Sequence, residues 1–120
     1  MNKFKGFTAA MYCDALVNSV MKNNHAFAAP QDILDEEDNP TGGRFALLYV
    51  PYGKDTMIFH CIKEDDVIKI FPQTGRGIVW TFRRSQNAWS VHPPVEDTNL
   101  RILSSTMHQY VLMPVRRYLG

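Results

Sequence analysis

Acid–base chemistry is the first chemistry that the residue types allow. The chain has four histidines: His25, His60, His92 and His108. An imidazole exchanges protons near neutral pH, so two histidines beside a cation could cleave a phosphodiester, one taking a proton and the other giving one. His92 and Arg83 are expected on the same face of one hairpin and form the best small polar cluster. A histidine-dependent phosphodiesterase or ribonuclease is therefore one alternative, but the spacing brings no two histidines together, and we name no catalytic residue.

Motifs for metal binding and nucleophilic catalysis are missing from the sequence. It contains no HExxH, no HxxxH, no paired CxxC and no GxSxG. Cys13 and Cys61 fall on separate predicted elements, so we expect free buried thiols rather than a disulfide or a zinc site. We expect neither a metal nor a cofactor, and we favour a binding protein over an enzyme.

A mixture of basic and aromatic residues could bind single-stranded nucleic acid. Rings on a sheet stack with bases, and cations along the rim contact phosphates. The candidate contacts are Lys69, Arg76, Arg83, Arg84 and His92. Against this hypothesis, Trp80, Phe82 and Trp89 share a strand face with aliphatic residues, which is typical of a core. An isoelectric point of about 7.8 is also low for a nucleic-acid-binding domain.

An acidic run separates the first helix from the first predicted strand. Its members are Asp32, Asp35, Glu36, Glu37 and Asp38. They do not follow the residue order of a calcium-binding loop. Because Pro30 can open a helix, we expect a short helical turn at residues 31–38. The carboxylates could contact a basic surface of a protein partner, or they could form a solvated loop.

Charge is unevenly distributed along the chain, although its formal net value is only +1. Residues 1–68 carry 6 basic and 10 acidic side chains, whereas residues 69–120 carry 7 basic and 2 acidic ones. This asymmetry could give a dipolar surface that steers a partner. Alternatively, the two halves interleave in space and the field cancels.

The clearest fold signal is a β-hairpin in residues 77–93. Apolar and polar residues alternate on both sides of Gln86 and Asn87, which we take as a two-residue loop. This loop predicts four directly opposite pairs: Arg84 with Trp89, Phe82 with Val91, Arg83 with Ser90, and Thr81 with His92. Pattern and pairing agree, since both place the aromatic residues on one face.

Three further segments have regular patterns. Residues 7–23 predict a helix with Thr8 as its N-cap, and residues 44–50 predict a central strand covered on both faces. Residues 56–62 and 67–71 predict a second hairpin with Ile62 opposite Val67. One face of that hairpin is fully apolar. The other is only partly polar, so it is either covered by another element or a place where something docks.

The C-terminal part predicts a helix from about residue 97 or 98 to the residue before Pro114, with Leu100, Leu103, Met107 and Val111 as its apolar stripe. Alternatively, residues 100–103 form another strand. Residues 115–120 form a short amphipathic tail that could pack or extend.

These patterns predict one α+β domain spanning residues 1–120. It has an N-terminal helix, an antiparallel sheet of about five strands, and a C-terminal helix packed on one sheet face. The sequence shows no signal peptide and no apolar run long enough to cross a membrane, so we expect a cytoplasmic protein without a membrane partner. We expect a small non-enzymatic protein that binds another macromolecule and inhibits or regulates it by occlusion. A protein is the partner that we favour. Single-stranded nucleic-acid binding is the first alternative.

Overall fold

A computed structural model of the chain describes residues 4–75, 77–92 and 107–120. Helix α1 is followed by six strands, a short π-helical segment and helix α2. Their bounds are α1 Ala9–Met21, β1 Ala26–Leu34, β2 Pro40–Tyr52, β3 Asp55–Glu64, β4 Val67–Pro72, β5 Trp80–Ser85, β6 Ala88–His92, the π-helix His108–Leu112 and α2 Met113–Leu119. The predicted α+β class and the order of its elements are confirmed, with six strands instead of about five.

The sheet is a meander in which each strand pairs antiparallel with the next one in the chain, from β1 at one edge to β6 at the other. One face, which we call the core face, packs against both helices. The fully buried core includes Leu16 of α1, Phe59 and Ile70 of the sheet, and Val115 of α2. The helices and one sheet face therefore form a two-layer domain.

Helix α1 begins as its sequence predicts. The Thr8 side-chain oxygen accepts a hydrogen bond from the Met11 N–H at 3.2 Å, which satisfies one of the unpaired donors of the first turn. Asn23 has a φ of 54°, the left-handed conformation that ends a helix. The face that α1 turns toward the sheet buries Tyr12, Cys13, Leu16 and Val17.

The β5–β6 hairpin has the predicted register. All four predicted pairs are directly opposite each other, and Ser85 lies opposite Ala88 across the two-residue loop. Gln86 and Asn87 have φ values of 53° and 66°. Two successive left-handed residues define a type I′ turn, whose twist matches that of the strands. Asn tolerates this conformation better than Gln does.

The β3–β4 hairpin differs from its predicted register by two residues. His60 lies opposite Phe71 and Ile62 opposite Lys69, instead of Ile62 opposite Val67. Asp65 takes a φ of 53°, so the chain reverses over Asp65 and Asp66 and both strands become longer. Because the shift is an even number of residues, each side chain keeps its predicted face.

Strand β1 was predicted wrongly, as a connector and a short helical turn. Residues 26–34 instead pair with β2, with irregular register between Ala28 and Gln31 and between Asp32 and Leu34. Ala29 has a φ of 58°, and Pro30 follows it within this irregular stretch. An edge strand tolerates a proline and a bulge because one side of its backbone has no neighbouring strand to bond.

The C-terminal helix was also predicted to end too early. Helix α2 continues through Pro114 to Leu119, with the proline in the first turn of α2. Met107 and Val111 of the predicted stripe are buried, whereas residues 97–106, which include Leu100 and Leu103, lie outside the described part of the chain. Val115 and Leu119 of the predicted tail pack into the core.

Candidate functional site

The fold separates the histidines that could act as a catalytic pair. His60 on β3 and His92 on β6 lie on the same sheet face, three strands apart, which is roughly 14 Å at about 4.8 Å per strand. His25 precedes β1 and makes an edge contact with the Phe27 ring at 5.4 Å. His60 and His92, which share a sheet face, are therefore too far apart to hold one phosphate between them.

Both cysteines are buried, and they are free thiols. Burial raises the pKa of the Cys61 thiol to about 12. Burial, assisted by the nearby Asp14 carboxylate, raises the pKa of Cys13 to about 12 as well. Neither thiol is a competent nucleophile, because the reactive thiolate is scarce at neutral pH. Among the residues described, no three His, Cys, Asp or Glu side chains come close enough to hold a metal ion.

The acidic run lies mostly in the tight turn between β1 and β2, and two of its members have structural roles. Asp32 forms an ion pair with Arg44 at 2.7 Å. The Asp35 carboxylate accepts hydrogen bonds from the N–H groups of Glu37 and Asn39, both at 2.9 Å, and so closes the turn.

The remaining three acids of the run, Glu36, Glu37 and Asp38, are exposed. Their carboxylates make no ion pair within the described ranges. These three side chains are the ones free to meet a partner, whereas Asp32 and Asp35 hold the hairpin together.

The sheet face opposite the helices, which we call the outer face, is largely apolar. Over residues 45–49 of β2, 58–62 of β3 and 67–71 of β4, its side chains are Phe45, Leu47, Tyr49, Ile58, His60, Ile62, Val67, Lys69 and Phe71. Lys69 is exposed, and the other eight are partly exposed. Strand β2 was expected to be covered on both faces, but both helices pack on the core face, and no described helix or strand covers the outer one.

An aromatic row crosses the middle of the outer face. The His60 and Phe71 rings are stacked, with centroids 5.1 Å apart and 14° between their planes. The Phe45 ring lies 5.6 Å from His60 on the other side, tilted by 54°. These contacts hold planar side chains in fixed positions on a face that no described helix or strand covers, as in preorganised binding surfaces.

Basic side chains border the apolar part of the outer face toward β5 and β6. Lys69 and Arg83 are exposed, as is His92, and these three make no hydrogen bond or ion pair with the described residues. Arg84 lies on the opposite side of the hairpin and donates to the Asn87 side chain at 3.5 Å. Three of the five predicted nucleic-acid contacts thus share one face, Arg84 does not, and Arg76 lies outside the described residues.

The aromatic residues of the β5–β6 hairpin face the interior, as their pattern predicts. Trp80 is 1% exposed and Phe82 is 0% exposed. Trp89 packs at the margin of the core, where the Arg116 guanidinium of α2 lies 4.9 Å from the centroid of its ring. Their rings are therefore used in packing and leave no open stacking platform on this hairpin.

A cleft of about 510 Å³ lies on the other side of the molecule, between the N-terminal segment and the loop that precedes β5. Phe4, Phe7 and Tyr12 form its aromatic wall, and the rings of Phe7 and Tyr12 are 5.3 Å apart. Lys5 is the one charged side chain in its described lining. The described lining of this cleft contains none of the candidate functional residues.

Comparison with protein-family models, with curated proteins and with solved structures finds no match for this chain. Within the described residues, no helix combines the length and the hydropathy needed to cross a membrane.

Proposed function

We propose that this chain is a non-enzymatic protein that binds another protein through the outer face of its sheet and inhibits or regulates that partner by occlusion. The supporting observation is an apolar sheet face to which none of the described helices is packed. Exposed apolar patches of this kind are uncommon on monomeric proteins and mark interaction sites.

The composition of the outer face fits the anatomy of a protein interface. Aromatic and aliphatic side chains occupy its centre, while Lys69 and Arg83 lie at its margin, in the arrangement of an apolar core with a polar rim. The apolar part covers three strands and about five residues of each, so it measures roughly 200 Å² in projection. A partner that also covers the neighbouring strands reaches the size of a small specific interface.

The acidic turn complements this proposal. Glu36, Glu37 and Asp38 project from the β1–β2 turn at one end of the sheet, and Arg83 lies near the same end, on β5. Exposed charges outside an apolar interface core change the association rate and orientation more than the final affinity. We therefore assign these three acids to steering and the outer face to binding.

Single-stranded nucleic acid is the second candidate partner, because Lys69, Arg83 and His92 share the outer face with the rings of Phe45 and Phe71. Such a mixture can stack bases and contact phosphates. The aliphatic side chains on β2 and β3, among them Leu47, Ile58 and Ile62, offer a base neither a ring nor a hydrogen bond. These aliphatic side chains therefore favour a protein partner over a nucleic acid.

Affinity capture with matched variants tests the proposal. The tagged protein and its Phe45→Ser, Phe71→Ser double variant are incubated with an extract of the source organism. Met21→Ser serves as the control, because Met21 is 56% exposed and lies at the end of α1. We expect a nuclease-resistant protein partner that the double variant loses and the control keeps. A partner that the double variant retains overturns the proposal, as does binding to a labelled oligonucleotide that depends on Phe45 and Phe71.

A further inference from the structure

We propose that the occupant of the outer face is an amphipathic helix of the partner protein, with an apolar stripe flanked by carboxylates. This inference rests on the proposed function and adds the chemistry and the shape of the partner. It follows from the dimensions of the apolar patch, from the charges beside it and from the composition of the described helices of this chain.

The width of the apolar patch matches one helix. Its most continuous part lies on β2 and β3, from Phe45 to Tyr49 and from Ile58 to Ile62. Two adjacent strands with their side chains occupy about 10 Å, which is the diameter of an α-helix. Five residues of a strand extend about 14 Å, a length that nine or ten helical residues cover at 1.5 Å each.

The charges beside the patch specify the flank of that helix. Lys69 on β4 and Arg83 on β5 are exposed and have no partner in the described residues. Across β2 to β5, the one carboxylate on the outer face of the sheet is Glu64, at the end of β3. A helix lying over β2 and β3 therefore meets cations along the flank that faces β4, and carboxylates at that flank complement them.

The described helices of a second copy of this chain do not supply such a helix. Helix α1 contains a single acid, Asp14, and buries its apolar stripe in the core. Helix α2 contains no acid and carries Arg116 and Arg117. Face-to-face docking of two outer faces offers each pair of cations one carboxylate, Glu64, and otherwise places the cations over the other pair or over apolar side chains, which is unfavourable.

Selection from a displayed peptide library tests this inference. The probe is a phage library of 16-residue helical peptides in which all positions except the helix-forming alanines are randomised. The full chain is the target, and the Phe45→Ser, Phe71→Ser double variant is used for counter-selection. We expect enriched peptides with apolar residues at spacings of three and four and with Asp or Glu on one flank. Raising NaCl from 50 to 500 mM should weaken them roughly tenfold, as expected for two screened ion pairs.

A charge-reversed target provides the matched control. Selection against Lys69→Glu with Arg83→Glu should enrich Lys and Arg on the same flank, with the apolar stripe unchanged. Enriched peptides that are uncharged or basic against the wild-type chain overturn the inference about the partner and leave the outer face as the binding site. Two results would overturn both the inference about the partner and the proposal that the outer face is the binding site. One is that the peptides bind the double variant as well as the wild type. The other is that no peptide is enriched over the counter-selected pool.

Discussion

The imidazole of His60 lies stacked on the ring of Phe71, on the side of the sheet that faces away from both helices. The next residues along these two strands, Cys61 and Ile70, point to the other face and are completely buried. The same pair of strands therefore has one face in the core and one face in contact with solvent. The sheet has apolar side chains on both faces, and the described helices cover one of them, which is why we assign binding to the other.

The two faces should respond differently to truncation. Phe82→Ala removes a fully buried ring, so it should lower the free energy of unfolding by about 3–5 kcal/mol. Phe45→Ala removes a partly exposed ring with one aromatic neighbour, and it should cost about 1 kcal/mol or less. Urea unfolding followed by circular dichroism checks both values. Equal losses for the two variants would mean that the outer face is covered.

A substitution in the β5–β6 turn should stabilise the folded protein. Gln86 has a φ of 53°, a conformation that glycine adopts without strain and glutamine does not. Gln86→Gly should therefore raise the free energy of unfolding by roughly 0.5–1 kcal/mol. Gln31→Gly, in the edge strand β1, is the control and should lower it. A thermal melt of each variant gives the comparison, and a lower melting temperature for Gln86→Gly would argue against the type I′ turn.

The buried thiols should make the fold sensitive to alkali. The pKa values of Cys13 and Cys61 are raised to about 12 from an ordinary 9.0, so the folded state retains their protons more tightly than the unfolded state does. Their stabilising contribution is complete below pH 9 and is lost as the pH rises from 9 toward 12, on the order of 1 kcal/mol per pH unit for each thiol.

Comparison with a Cys13→Ala, Cys61→Ala variant isolates this effect from the titration of lysines and tyrosines. Stability is measured by urea unfolding at successive pH values from 8 to 11. The wild-type curve should fall more steeply above pH 9 than the curve of the variant. Parallel curves would show that the thiols do not titrate differently in the folded and unfolded states.

Arg116 should contribute to the attachment of α2, whereas its neighbour should not. The Arg116 guanidinium lies 4.9 Å from the centroid of the Trp89 ring, and Arg117 is exposed on the same helix. Arg116→Ala should cost about 0.5–1 kcal/mol and change the tryptophan fluorescence. Arg117→Ala should change neither. Identical behaviour of the two variants, measured by fluorescence-detected urea unfolding, would contradict the contact.

The alternation of apolar and polar residues predicted the fold correctly for elements whose two faces carry different side chains. The β5–β6 hairpin is the clearest case, because a two-residue loop and the alternation of its aromatic residues allow a single register. The register of the β3–β4 hairpin depends on the left-handed conformation of Asp65. The four polar residues 63–66 do not specify which of them takes that conformation. Strand β1 was missed because Pro30 and its bulges hide the alternation of an edge strand.

The candidate site was only partly predictable. The second face of residues 56–71 is only partly polar, which indicates either a covering element or a docking place, and this face includes His60 and Phe71. Phe45 and Tyr49 were assigned to a strand covered on both faces, since a run of apolar residues is typical of a central strand. Which sheet face the described helices cover depends on where α1 and α2 pack, and that is a tertiary property.

Site-specific photo-crosslinking on the outer face tests the central claim most directly. Tyr49 is replaced by p-benzoylphenylalanine, which keeps an aromatic ring at a partly exposed outer-face position. Tyr110, which is 37% exposed on the π-helix, receives the same replacement as the control. After irradiation in an extract of the source organism, we predict a discrete protein adduct from position 49 and none from position 110. An adduct from position 110 alone, or a nuclease-sensitive adduct from position 49, would contradict the account.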